Sequence, residues 1–264
     1  MEPADSLGSE IFRGDNMRYK AISDVGNVRS MNEDFWGAEI LGSGKGAVGI
    51  FAIADGMGGH NKGEVASRIA VEKVMQHLKG RIESAKRDID SIVVENLIES
   101  YERSNDIIIK EAQRSEEFRG IGTTLTMAVI TGGKMYVANV GDSRCYLFSE
   151  EKLHRVTNDN SLVQELLLKG LITEEEARRH PQRNVITRAV GLEEPLKVDV
   201  YERDVVKGDH VLLTTDGLTN MIAHDEMQEV ILNFENIDQS CEELLSRAKD
   251  SGGDDNISLI HILI

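Results

Sequence analysis

Strand-like apolar runs follow one another directly in this chain, and helix-like stretches come in pairs after them. Phe35–Leu41 and Ala47–Ala54, joined by "GSGKG", precede two helical stretches with no strand between them. "TTLTMAVI" and "KMYVANV" flank "TGG", and "RCYLF" and "LHRVT" flank "SEE"; both patterns are those of β-hairpins. "LKVDVYE" and "HVLLTTDG" follow a short helical region, helices near 224–234 and 239–250 come next, and "NISLIHILI" closes the chain. A doubly wound parallel sheet needs strand and helix to alternate, and here they do not. The order predicts an α+β fold: a four-layer α/β/β/α sandwich of two mostly antiparallel sheets, with helix pairs on the outer faces.

The helical stretches are periodic. Val71, Val74, Met75, Leu78 and Ile82 share one face of a helix starting near Lys62, and a second helix spans about 89–114. Residues 1–16 show no periodicity and are expected to form a disordered extension, with one domain over 17–264. A chain of 264 residues, 40% hydrophobic, can bury a large core. Its net charge of -16 comes without a clustered basic surface, which argues against nucleic acid as a partner. The apolar runs are too short to span a bilayer, and "MEPADSLGSE" lacks the apolar stretch of a signal peptide. Cys145 and Cys241 form no CxxC pair, which suits a reducing compartment. A cytoplasmic monomer without membrane contact is expected.

Four carboxylates share one local grammar. Asp55 ends "GIFAIAD" before Gly56, Asp216 ends "HVLLTTD" before Gly217, Asp142 follows Gly141, and Asp255 sits in "GGDDNIS" before the last strand. Strand-end carboxylates can converge on one rim of a sandwich, where each raises the others' pKa unless a cation neutralises them. Oxygen ligands of this kind suit Mg²⁺ or Mn²⁺, and a glycine beside them lets a backbone carbonyl turn to the metal. The alternative is four ordinary turn aspartates, since Asp-Gly is a common turn pair. "SDVGNVRSMNED" adds Arg29, Glu33 and Asp34. Arg29 reads either as a surface ion pair or as a guanidinium fork for a phosphate.

"RSMNED", "ADGMGGHNKGEVAS", "GTTLTMAV", "VGDSRCYLF", "SLVQELLLKGLITEEEARRHPQRNVITRAVG", "TTDGL" and "GGDDNIS" occur in that order over residues 17–264. Together they resemble the metal-dependent protein serine/threonine phosphatases of type 2C (PPM), in their bacterial form. The resemblance implies that Asp55 bridges two metals. It gives the second metal the Gly56 carbonyl and Glu33, directly or through water, and gives the first Asp216 and Asp255. Asp142, with Asp216, would hold a weaker third metal. Arg29 would grip the substrate phosphate, making Arg29 and Asp55 the catalytic pair. Asp34 and Asn256 would support the ligands from outside their set. The implied reaction is attack of a metal-activated water on phosphoserine or phosphothreonine, with no covalent intermediate. The implied partners are phosphorylated proteins, including a Ser/Thr kinase.

Two positions depart from the family's pattern. Met57 stands where some eukaryotic relatives have histidine, with His60 three residues further on; the proton donor is left open, and a metal-bound water could serve. Asn160 stands where many bacterial relatives have histidine, at the start of a segment, 158–190, that resembles the family's flap; the departure bears on substrate contacts and not on the metal core. Competing functions are a catalytically silent regulatory domain of the same fold and a two-metal esterase for small phosphates. "CEELLSR" matches the C-x5-R spacing of cysteine phosphatases, but it lacks glycines for a phosphate cradle and reads as a core helix.

Overall fold

The computed structural model describes residues 11–13, 17–58, 62–85, 89–192, 194–234 and 236–264. Twelve strands and seven α-helices occur among them. The strands are β1 (Ile11–Arg13), β2 (Arg18–Asp24), β3 (Asp34–Leu41), β4 (Val48–Met57), β5 (Gly122–Thr123), β6 (Leu125–Thr131), β7 (Lys134–Val140), β8 (Arg144–Ser149), β9 (Lys152–Arg155), β10 (Asp199–Asp204), β11 (His210–Thr214) and β12 (Ile257–Leu263). The helices are α1 (Gly63–Glu83), α2 (Val93–Ala112), α3 (Leu162–Leu168), α4 (Glu174–Arg179), α5 (Asp216–Thr219), α6 (His224–Asn233) and α7 (Ile237–Asp250).

One sheet runs β1-β2-β12-β11-β8-β9; the other runs β10-β7-β6-β4-β3, with β5 on the end of β4. Every pairing between these strands is antiparallel. The layers follow from side-chain alternation. On β4, Phe51 and Ile53 pack with Tyr19, Val211 and Ile260 between the sheets. Ile50, Ala52 and Ala54 point the other way, against Ala66, Ala70, Val74 and Leu97 of α1 and α2. On the opposite outer face, Leu212, Ile257 and Leu259 pack with Val230, Cys241 and Leu244 of α6 and α7. Both faces of each central strand are therefore covered, so β4 reads as a continuous apolar run. The expected four-layer sandwich is the observed fold.

Three local expectations change. Ile11–Arg13 pair with Arg18–Lys20, so these three of the sixteen residues expected to be disordered are a strand. Three residues are too few to show a period; residues 1–10 and 14–16 lie outside the described set. The strand ending at Ala54 in the sequence reading continues to Met57, because Gly56 and Met57 pair with β5. Asp216 lies in no turn: it opens α5, four residues long and too short for periodicity to reveal. "CEELLSR" does lie in α7, with Cys241, Leu244 and Ala248 buried.

Away from the carboxylates, β11 and β12 carry a buried imidazole pair. His210 Nδ1 lies 2.8 Å from His261 Nε2, and Ser240 Oγ lies 2.7 Å from His261 Nδ1. Ser240 gives its own proton to the Ile237 carbonyl at 3.0 Å, so His261 Nδ1 donates to Ser240 and His261 Nε2 accepts from His210. Burial, then the neighbouring His210, pushes the His261 pKa down to about 3. Below the unfolded value near 6.5 the unfolded chain binds a proton that the folded chain refuses, so this group's stabilisation falls as pH falls through that window. The expected contribution is about 1.4 kcal/mol per pH unit for the one proton. In urea unfolding, the stability advantage of the parent over His261→Leu should shrink as pH falls from 6.5 to 4.5, approaching that amount per unit at the acid end; a difference independent of pH would contradict it.

Candidate metal-dependent active site

The carboxylates sit at one end of the sandwich, where β4, the β7–β8 turn, the β11–α5 junction and the start of β12 meet. Asp55 lies opposite Asp34 across the β3–β4 ladder. Its own backbone is clamped: Asp55 N–H donates to Thr124 Oγ1 at 2.9 Å, while its carbonyl accepts from Thr124 N–H at 2.9 Å and Thr123 Oγ1 at 2.8 Å. Thr124 Oγ1 also bonds Ser143 Oγ at 2.7 Å, beside Asp142. Two hydroxyls buried among apolar strand residues thus join the segments carrying Asp55 and Asp142.

Glu33 and Gly56 interlock. The Glu33 carbonyl accepts from Gly56 N–H at 3.1 Å and from Ser67 Oγ at 2.6 Å, and Glu33 Oε1 accepts from Gly63 N–H at 2.9 Å. A Cβ on Gly56 would stand 2.1 Å from the Gly63 oxygen and 2.6 Å from the Glu33 oxygen, so no other residue fits. Asn256 fixes the loop from the far side. Its Oδ1 accepts from Glu33 N–H at 2.8 Å, and its Nδ2 donates to the Val25 and Met31 carbonyls at 3.0 and 2.9 Å. Arg29 Nη2 donates to Asp255 Oδ2 at 2.8 Å, and about half of the Arg29 side chain remains exposed at 48%.

The electrostatics are those of carboxylates held together. Burial, then the charges of Asp34, Asp216, Asp142 and Asp255, raises the Asp55 pKa well above its ordinary value. Burial, with the charges of Asp216 and Asp255, lifts Asp34 to about 7, against hydrogen bonds from hydroxyls that include Thr215 Oγ1 at 2.9 Å. Asp142 is pushed up to about 8 by burial, Asp216 and Asp159. Asp216 is raised by burial and Asp255, and Glu33 by burial. Asp34 Oδ1 and Asp216 Oδ1 are buried without a hydrogen-bond partner. Unpartnered buried carboxylate oxygens among mutually repelling acids fit a hard divalent cation, which would satisfy both demands. Among the described residues no three acidic, His or Cys side chains enclose an ion by themselves. A cation here would draw the rest of its shell from carbonyl oxygen and water, as Mg²⁺ ordinarily does.

The structure therefore brings Arg29, Glu33, Asp34, Asp55, Gly56, Asp142, Asp216, Asp255 and Asn256 to one end of the fold. His60 lies outside the described residues. Asn160, where the sequence departs from the family's pattern, ties three segments together. It is buried, its Oδ1 accepts from Gly141 N–H at 3.0 Å, and its Nδ2 donates to Asp199 at 2.8 Å. The sequence reading missed Thr124, Ser143, Ser67 and Thr215; the available signal was hydroxyls in "GTTLT", "GDSR", "EVAS" and "TTDG", close to the acids or the glycine-rich turn.

A frame of two stacked sheets between helix pairs, with buried carboxylates gathered at one end, suits a hydrolase that works through divalent cations. Residues 27–258 match the family pattern described as "Protein phosphatase 2C". "Serine/threonine phosphatase stp" of Listeria monocytogenes is 35% identical over 243 residues, covering 90% of this chain and 92% of that protein. The structure of Stp1 from Staphylococcus aureus superposes with a TM-score of 0.85 at 31% identity, covering 97% of this chain and 98% of the other. The catalytic domain of the phosphatase PstP, solved in complex with two manganese ions, gives a TM-score of 0.77 at 31% identity, covering 94% and 98%. This chain belongs to the protein phosphatase 2C family, a metal-dependent one, and is a protein serine/threonine phosphatase.

Proposed function

We propose that the carboxylate end of the sandwich hydrolyses phosphoserine and phosphothreonine in proteins, with Asp55 shared between two divalent cations. The observation that carries this is the buried, mutually repelling set around Asp55, with orphaned oxygens on Asp34 and Asp216. Asp216 and Asp255 would hold one cation, Glu33 and the Gly56 carbonyl the other, and Asp142 with Asp216 a weaker third. When bound, such cations supply an acidified water and neutralise charge on a phosphate. The remaining work falls to the chain. Arg29, half exposed beside Asp255, orients the phosphate oxygens and balances their charge. Asn256, Thr124 and Ser67 keep the ligand-bearing backbone from shifting. Met57 carries no proton to give, so water protonates the leaving seryl or threonyl oxygen.

Mn²⁺ and Mg²⁺ both suit this oxygen set. The segment 158–190 serves as the flap beside the site. The reading extends to a cytoplasmic monomer that reverses the work of a Ser/Thr kinase; the two free, buried thiols Cys145 and Cys241 support a reducing compartment. The silent-domain alternative is disfavoured, since charges this costly to bury have no reason to stay clustered without a cation. The test is Mn²⁺-dependent release of phosphate from a phosphothreonine peptide. Activity should vanish in EDTA and in Asp216→Ala; undiminished activity in that variant would overturn the assignment.

A further inference from the structure

The turn that carries Asp142 is tied from below and from above. From below, Gly141 (φ +106) sits so close to Thr124 that a Cβ would approach its side chain to 2.6 Å. Asn139, itself bonded to Thr126, donates to the Gly141 carbonyl at 3.2 Å. From above, Asn160 adds two links. Asn160 Oδ1 accepts from Gly141 N–H at 3.0 Å, and Asn160 N–H donates to the Gly141 carbonyl at 2.8 Å.

The same residue holds both ends of the segment that contains α3 and α4. Its carbonyl accepts from Thr187 N–H at 2.7 Å, where that segment returns. Its Nδ2 donates to Asp199 Oδ2 at 2.8 Å, which also accepts from Arg188 Nη1 at 2.9 Å. The next residue, Ser161, bridges Ile186 and caps α3 through its hydroxyl. Between this segment and the carboxylates lies a cleft of about 780 Å³, with Asp142 and Asp216 on one wall and Ser161, Gln164 and Leu167 on the other.

We propose that Asn160 is a positioning residue that locks the Asp142 turn to both ends of the 162–186 segment, so that cation binding at Asp142 and the setting of that segment change together. The proposal rests on the reading of Asp142 as a cation ligand. The amide meets the local demand with one short side chain: an acceptor for Gly141 N–H and a donor to Asp199. Aspartate would face Asp199 with a second acceptor; alanine would leave the buried Gly141 N–H without its side-chain acceptor and Asp199 Oδ2 with Arg188 as its remaining donor. Because the coupling is thermodynamic it is reciprocal: a peptide that orders the segment tightens the cation, and the cation orders the segment.

The test uses the full chain, Mn²⁺ as probe, and two readouts without substrate: calorimetric Mn²⁺ titration, and tryptic cleavage at Lys169, Arg179 and Arg183 with and without Mn²⁺. Asn160→Ala should weaken the weakest Mn²⁺ step by about tenfold, as loss of a ligand-supporting hydrogen bond does. It should also abolish Mn²⁺-dependent protection of the segment. The paired exchange Asn160→Asp with Asp199→Asn, which restores an acceptor for Gly141 and a donor across the pair, should recover both. A merely structural role would lower thermal stability in EDTA yet leave Mn²⁺ affinity and protection at parent values, and that result overturns the proposal. Asp142→Ala separates the two readings. If it weakens an Mn²⁺ step and Asn160→Ala does not, the coupling is wrong and the ligand reading stands. If Asp142→Ala weakens none, the ligand reading falls and the coupling with it. Should Asn160→Ala not fold, the paired exchange decides alone: parent-like affinity and protection support the proposal, and a folded protein deficient in both overturns it.

Discussion

Asp55→Asn should lose about a thousandfold or more in Mn²⁺-dependent phosphatase activity, while its metal-free form becomes more resistant to urea than the parent at pH 8. The two effects have opposite signs because one carboxylate serves both. With cations bound, the Asp55 charge is the shared anion of the centre, and an amide cannot replace it. Without them, burial and four neighbouring carboxylates make that charge a liability, which is why the Asp55 pKa is raised. Asparagine keeps the shape and removes the repulsion. Asp216, close enough to Asp55 for a hydrogen bond, then meets an amide donor instead of a second acid. Phosphopeptide kinetics in Mn²⁺ and equilibrium unfolding in EDTA read the two halves separately. A variant less stable than the parent in EDTA would show that Asp55 supports the fold as well as the site. Retained activity would remove Asp55 from the centre altogether.

That pairing of cost and purpose explains why so much of the site was legible in the sequence. A strand buried on both faces has no structural reason to end on a carboxylate. "GIFAIAD" and "HVLLTTD" therefore announced function by violating the pattern that "LTMAVI" obeys. Asn256 and Asp34 entered as support for the ligands only through the family resemblance. What stayed hidden is what depends on distant partners. Gly56 and Met57 are strand residues only because Gly122 and Thr123, far along the chain, pair with them. The place of β12 between β2 and β11 is a long-range choice that no local pattern encodes. Asn160 is the sharpest case. Compared with relatives it looked like a lost substrate contact, yet its neighbours Gly141, Thr187 and Asp199 make it a clamp. A side chain's identity records which atoms it can offer; only the fold says to whom.

The strongest pH dependence should come from the same carboxylates, and a cation should reverse it. In EDTA, Asp34 at about 7, Asp142 at about 8 and the raised Asp55 all sit above the unfolded aspartate value of about 3.9. Between the unfolded and folded values the folded protein holds protons that the unfolded chain has released. Stability therefore falls as pH rises, by about 1.4 kcal/mol per pH unit for each such proton. Below about 6.5 the buried His261 acts in the opposite direction, so the cleanest window is pH 6.5 to 8. Urea midpoints of the metal-free protein should decline across that window. In excess Mn²⁺ the carboxylates release their protons to the cation, and binding stabilises only the folded state. Rising pH then removes competition for the site, and the midpoints should rise across the same window. Calorimetry in buffers of different ionisation enthalpy should detect the released protons directly. A metal-free protein whose stability is flat or rising from pH 6.5 to 8 would mean that these acids are already ionised when folded. The orphaned oxygens of Asp34 and Asp216 would then be satisfied by something other than a proton or a cation.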